Sequence, residues 1–188
     1  MGGDPTIKKF HGGIRLKRGI GLLSSGNGYG LRIPEMNHEK IAEVASAFEQ
    51  HTDAGNKYQL AKQLTYFVHE RFEYEDISAD RKFVNLISAI DHGKGICKEK
   101  AALYQVLAQR LGIGSYYVRG RADGGRHAWC KVHVEKGETR TALADPTWGQ
   151  FKRPYEKAVK HYGLEEGESI VEIPRHMDVG KTVRFLKS

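Results

Sequence analysis

The sequence predicts an α+β domain, and three observations carry that prediction. Two amphipathic helical patterns lie between residues 37 and 68, a third helical pattern opens at Cys97, and a hairpin of alternating strands spans residues 127–145. In the first helix, Asn37 stands as the cap and Ile41, Val44, Ala45 and Phe48 form the apolar stripe. Asn56, with Gln59 three residues on, opens the second, whose stripe is Leu60, Leu64, Phe67 and Val68. The glycine turn Gly93-Lys-Gly95 then runs into Ala101, Leu103, Tyr104, Leu107, Ala108 and Leu111, a helix closed by Gly112. Residues 113–120, 127–135 and 139–145 read as strands, and Pro154 to Gly163 as a short helix with Pro near its start and Gly at its end. Ser169–Ile173 and Val179–Leu186 are two further strand candidates. At 188 residues, with no internal repeat, low-complexity tract or linker, the chain suits one domain, residues 37–188. A basic, glycine-rich segment, residues 1–36, precedes it as an extension or a set of edge strands.

Cys97 falls in the first turn of its helix, where unpaired backbone amides and the positive dipole end favour a thiolate and can hold an oxyanion. His127 opens the run His127-Ala-Trp-Cys-Lys-Val-His-Val134. Alternation puts Ala128, Cys130, Val132 and Val134 on one face, expected to be core, and His127, Trp129, Lys131 and His133 on the other, expected to be the site. The chain then returns through Thr139 to Asp145. A tight Lys136-Gly137 turn would send Asp145 to the face opposite His127. A three-residue loop or a bulge would set Asp145 across from Trp129 and diagonal to His127, and this second arrangement is the one expected.

These residue types suit one chemistry. A thiol is mostly protonated at neutral pH, an imidazole can take its proton, and a carboxylate can hold the ring, so Cys97, His127 and Asp145 read as nucleophile, base and orienter. Singly, such a cysteine is usually a small buried hydrophobe, such a histidine an ordinary core or surface residue, and Asp-Pro a turn opener. Their conjunction at a helix start and on two adjacent strands is much harder to reach by chance.

The pattern Gly95-x-Cys97-x-x-x-Ala101, Gly112-Ile113 leading into Tyr116-Tyr-Val-Arg-Gly120, His127-Ala-Trp129 and Asp145-Pro-Thr-Trp148-Gly149 resembles the transglutaminase-like superfamily. The resemblance runs from about residue 58 to 150 and includes Phe67-Val-His-Glu-Arg-Phe-Glu-Tyr74 upstream. It implies a papain-like, transglutaminase-core fold in which a cysteine-bearing helix packs on an antiparallel sheet, with Cys97, His127 and Asp145 as the catalytic triad. It implies acyl transfer at amide bonds of a protein or peptide through a thioester, with hydrolysis by a peptidase or amidase as the leading expectation. Protein-glutamine transglutamination or deamidation is the first alternative, and a non-catalytic binding module retaining the fold is the second. Trp129 and Trp148 are expected to bind substrate or shield the triad, with plain core packing as the competing reading. Several relatives complete the oxyanion hole with an upstream Gln or Trp side chain; no clear equivalent is evident here, and Asn85 and His92 are candidate stand-ins between which the sequence does not choose.

The net charge of +7 is unevenly placed. Residues 1–34 hold Lys8, Lys9, Arg15, Lys17, Arg18 and Arg32 against Asp4 alone, a net of +5, and nine glycines. The remaining +2 gives the domain itself no nucleic-acid character, whereas the N-terminal segment is a candidate contact for an anionic partner. Cys97 and Cys130, one at the site and one in the core, make no disulfide framework. No apolar run approaches the ~18–20 residues of a membrane span, and a secretory core is missing, so the expected location is cytoplasmic. Met1-Gly-Gly-Asp-Pro-Thr6 matches a myristoylation pattern, a short pattern that chance often supplies. Gly180-Lys-Thr182 imitates the end of a phosphate loop but has Arg175 where the first glycine belongs. A zinc site is not expected, because alternation turns Cys130 away from His127 and no paired-ligand spacing occurs. No cofactor is expected.

Overall fold

The computed structural model describes residues 14–17, 20–24, 30–33, 38–77, 83–136, 139–170 and 185–187. The myristoylation pattern and Gly180-Lys-Thr182 lie outside them. The first described helix, α1 (Glu39–Gln50), buries Ile41, Val44, Ala45 and Phe48, the stripe expected from the sequence. Its cap is His38, whose ring accepts from Lys40 N, rather than Asn37. An imidazole acceptor one residue later does the work assigned to the amide. In α2 (Lys57–Arg71), the Asn56 side chain accepts from Gln59 N at 3.0 Å, as its spacing requires.

The described residues form two sheets. The first pairs β1 (Ile14–Lys17), β2 (Ile20–Ser24), β3 (Gly30–Ile33) and β4 (Phe83–Asn85), with β3 and β4 parallel. Short α3 (Leu86–His92) follows β4 and leads to α4 (Cys97–Arg110). After it come β5 (Ser115–Ala122), β6 (Gly125–Lys136), β7 (Thr139–Asp145), β8 (Gln150–Lys152), α5 (Tyr155–His161), β9 (Leu164–Ile170) and β10 (Phe185–Lys187). These strands form one antiparallel sheet in the order β10-β9-β5-β6-β7-β8.

The cysteine helix is buried on all sides, from Lys98 to Ala108, which is why it shows no single apolar stripe. Its C-terminal end is fixed by Gly112 at φ 71°. Gly112 N–H donates to Gln109 O at 3.1 Å and Ile113 N–H to Ala108 O at 2.8 Å, the paired bonds of a Schellman turn. Against the sheet, Gln105 exchanges bonds with Ser115 at 2.7 and 2.8 Å, and the Cys130 thiol donates to Ala101 O at 3.3 Å. Ser115 pairs with Val132. Gln105 thus meets the sheet level with Val132 and Ala101 level with Cys130, so α4 runs parallel to β6. A further turn back along the helix sets Cys97 near the start of β6.

Alternation along β6 builds two cores rather than a core and an open site face. Ala128, Cys130, Val132 and Val134 join the main core with the helices, as expected. On the opposite face, Trp129 packs with Val118, Leu143, Tyr155, Ala158 and Leu164. This corrects the expected site face: the α5 segment, which the sequence does not place in space, covers its middle. His127 stands on that face two residues before Trp129, itself buried.

Candidate functional site

Three elements deliver the site. Helix α4 brings Cys97, half-buried in its first turn, after Ile96, which offers no side-chain acceptor to the first-turn amides. The Glu99 carboxylate bends back to accept from Ile96 N at 3.1 Å. It lies almost wholly buried beside Lys98, and its pKa is raised because burial outweighs the Lys98 charge.

Strands β6 and β7 bring the other two side chains. Cys130 pairs with Ala144, so the register continues with Trp129 opposite Asp145 and His127 on the diagonal. A register shift between His133 and Lys136 produces this parity, the bulge being one of the two routes to it expected from the sequence, beside a three-residue loop. His127 Nε2–H donates to Asp145 Oδ2 at 2.6 Å. Asp145 is fully buried, and its Oδ1 accepts from Thr147 N at 2.9 Å and Trp148 N at 3.2 Å. The Asp-Pro-Thr-Trp turn therefore holds the carboxylate with its own backbone.

With Nε2 committed to Asp145, Nδ1 is the ring nitrogen left for Cys97, to which His127 is also hydrogen-bonded. Burial alone would lower the imidazole pKa. The bonds to Asp145 and Cys97 and the charges of both outweigh it and push the value up to about 9. His127 is also clamped between indoles, with Trp148 stacked at 4.4 Å and 18° and Trp129 at 5.8 Å and 27°. Trp148 is 38% exposed and forms an outer cover. Trp129 is a core residue as well as a wall of the site: it is fully buried and donates from Nε1 to Tyr155 OH at 2.9 Å. The one indole thus packs in the second core and stacks on the His127 ring.

Several further residues surround the site, and of these Lys100 is not singled out by the sequence. Lys100 is buried, burial lowers its pKa against the pull of Asp145, and its Nζ donates to His69 O at 3.1 Å. His69 Nδ1–H donates to Pro146 O at 3.0 Å. Tyr74 is 63% exposed, in a segment clipped to the turn before Cys97 by Glu73 N–H to Gly93 O (2.8 Å) and Gly95 N–H to Glu73 O (3.0 Å). Burial raises the Tyr74 pKa, and so does the charge of Cys97. His92, one of the two oxyanion stand-ins, is held by its own helix, with Nδ1–H donating to Ser88 O at 2.7 Å. The side chain of the other, Asn85, lies outside the described residues. Among the described residues, no group of three His, Cys, Asp or Glu is placed to hold a metal ion. None of the described helices is long and apolar enough to cross a membrane.

A cysteine at the start of a buried helix, packed on an antiparallel sheet that carries the histidine and aspartate, defines an α+β fold of the papain-like, transglutaminase-core kind. The family model for the transglutaminase-like superfamily matches residues 45–140, and the chain belongs to that superfamily. Among solved structures, Legionella pneumophila LapG superposes with a TM-score of 0.52 at 14% identity, over 73% of this chain and 84% of its own. A candidate cysteine protease from Cytophaga hutchinsonii superposes with a TM-score of 0.50 at 16% identity, over 79% of this chain. The chain spans about half of that protein's length, 47%. No curated protein sequence matches the chain.

Proposed function

We propose that the chain is a cysteine-dependent acyl-transfer enzyme that hydrolyses amide bonds of a protein or peptide. The observation that carries this reading is His127, bonded on one nitrogen to buried Asp145 and on the other side to Cys97, with its pKa pushed up to about 9. An imidazole that holds a proton at neutral pH stabilises a neighbouring thiolate, the attacking species. Cys97 Sγ adds to the amide carbonyl, and the Cys97 amide, at the positive end of α4, donates to the oxyanion. The intermediate collapses as the C–N bond breaks, and His127 gives its proton to the leaving amine. His127 then takes a proton from water, which attacks the thioester and frees the acid and Cys97. Asp145 fixes the ring tautomer throughout, while Trp148 and Trp129 keep the ring in plane with its partners.

Water as the second acceptor is supported by the half-buried thiol and by the cysteine-protease description of the Cytophaga hutchinsonii neighbour. The protein acts in this reading without a cofactor and in the cytoplasm.

The test starts with Cys97 itself. Alkylation by iodoacetamide, followed by intact mass across pH, should be fast at neutral pH, slowed in His127→Ala and unchanged in Cys130→Ala. A profile indifferent to His127 would remove the reading in favour of a binding module that retains the fold. With the nucleophile established, a peptide library incubated with and without a fluorescent primary amine separates the outcomes. New termini mean hydrolysis, whereas incorporated amine means transglutamination.

A further inference from the structure

Behind the three proposed catalytic side chains, one residue touches both segments that carry the acidic and nucleophilic members. His69 lies in the last turn of α2. Its ring Nδ1–H donates to Pro146 O at 3.0 Å, directly after Asp145. The same ring lies against Gly149, where an added Cβ would stand 3.1 Å from His69 Cδ2 and 3.3 Å from Nε2. Gly149 has φ 61°, so the turn takes its shape there and closes onto the imidazole. The backbone carbonyl of His69, one of those left unpaired at the end of a helix, accepts from buried Lys100 Nζ at 3.1 Å. Lys100 stands three residues after Cys97 in α4.

We propose that His69 is a positioning residue for the triad, tying the Asp145 turn to the first turns of the cysteine helix and so setting where carboxylate and thiol stand relative to His127. The inference rests on the proposed catalytic reading. The geometry gives a reason for such a tie: Asp145 and Cys97 sit on elements far apart in the chain, and neither touches the other's backbone through a strand ladder. The Pro146 carbonyl follows the carboxylate whose other oxygen is held by Thr147 and Trp148. A loosened Pro146 therefore lets the whole turn drift, and with it the 2.6 Å bond to His127. On the other arm, the buried Lys100 ammonium anchors α4 to the α2 carbonyl and lies in the field of Asp145. The charged and titratable groups facing His127 are Asp145 from β7 and Cys97 from α4.

Two substitutions separate positioning from bulk. His69→Leu keeps the volume and loses the N–H, whereas His69→Asn places an amide N–H near the position of Nδ1. The readouts are the pH profile of Cys97 alkylation by iodoacetamide and the NMR titration of the His127 imidazole. His69→Leu should slow alkylation at neutral pH by about 10- to 100-fold, the scale of a misplaced reacting group. It should also bring the His127 midpoint down from about 9. His69→Asn should restore most of both. The proposal is overturned if folded His69→Leu keeps the wild-type profile and midpoint, or if Leu and Asn are equally impaired, which would mean lost packing alone. Should His69→Leu fail to fold, Lys100→Met decides with the same readouts, and an unchanged profile there overturns the tie. His127→Ala runs alongside: if it leaves alkylation unaltered, the catalytic reading falls and this inference with it. If His127→Ala slows the reaction and His69→Leu does not, only the positioning role falls.

Discussion

At the scale of single residues, the proton on His127 is the quantity most open to measurement. Its pKa stands at about 9, above the ordinary 6.5, because the bonds and charges of Asp145 and Cys97 overcome the cost of burial. A folded-state value raised above the unfolded one means that the pair's stabilisation is complete below pH 6.5 and is lost as pH rises through about 9. Wild-type melting temperature should therefore fall across that window, and Asp145→Asn should flatten the dependence by bringing the His127 midpoint back toward the ordinary value. Both tryptophans of the chain stack on this ring, so whole-protein emission reports its charge. Emission should change near pH 9 in the wild type and at lower pH in Asp145→Asn; an unmoved step would show that the carboxylate does not hold the proton. Cys97, His127 and Asp145 were legible in the sequence because their chemistry restricts residue type and strand parity restricts placement. His69 and Lys100 were not, because each sits on a helix among ordinary polar residues and gains its meaning only from a distant turn.

At the scale of elements, the sequence told more about helix ends than about sheet faces. The Asn56 cap and the Gly112 terminus are local devices, set by side-chain acceptors and by a positive φ. That the second face of β6 is covered depends instead on where α5 packs, and nothing in the alternation of residues 127–134 encodes that. The short strands β4 and β8 and the helix α3 had too few residues to show any period. The second face carries its own prediction at Gly120, beside the register shift between β5 and β9. A Cβ at Gly120 would stand 1.8 Å from the Glu165 carbonyl oxygen and 2.6 Å from Trp129 Cη2. Gly120→Ala must push apart a strand pair and displace the indole that stacks on His127. Urea unfolding should show a loss of about 3 kcal/mol or more, at the upper end of overpacking costs. The rate of Cys97 alkylation should move with it, since the displaced indole stacks on His127. A variant as stable as the wild type would mean that β9 yields there freely and that Trp129 is not pinned by Gly120.

At the scale of the whole molecule, the α+β class followed from the order of helical and alternating segments, whereas the six-strand order and the parallel β3–β4 pairing are long-range facts with no local signature. The two cores lie on opposite faces of shared strands. Tyr117, Ala128, Cys130, Ala142 and Ala144 serve the main core, while Val118, Trp129 and Leu143 from the same strands serve the second. Because successive residues of β5, β6 and β7 point to opposite faces, neither core can open without disordering the strands that build the other. The site draws on both: Cys97 stands on the helix of the main core, and the Trp129 wall belongs to the second. One cooperative transition is therefore expected. Cys130, donating to Ala101 O inside the main core, reports that side through its reactivity with a thiol reagent after Cys97 has been blocked. Trp129 reports the other side through emission in a Trp148→Phe background. The two urea midpoints should coincide. A Trp129 transition at lower urea, with Cys130 still protected, would mean that α5 and β9 unfold as a separate layer, and that the wall against His127 can open while the helix bearing Cys97 stays in place.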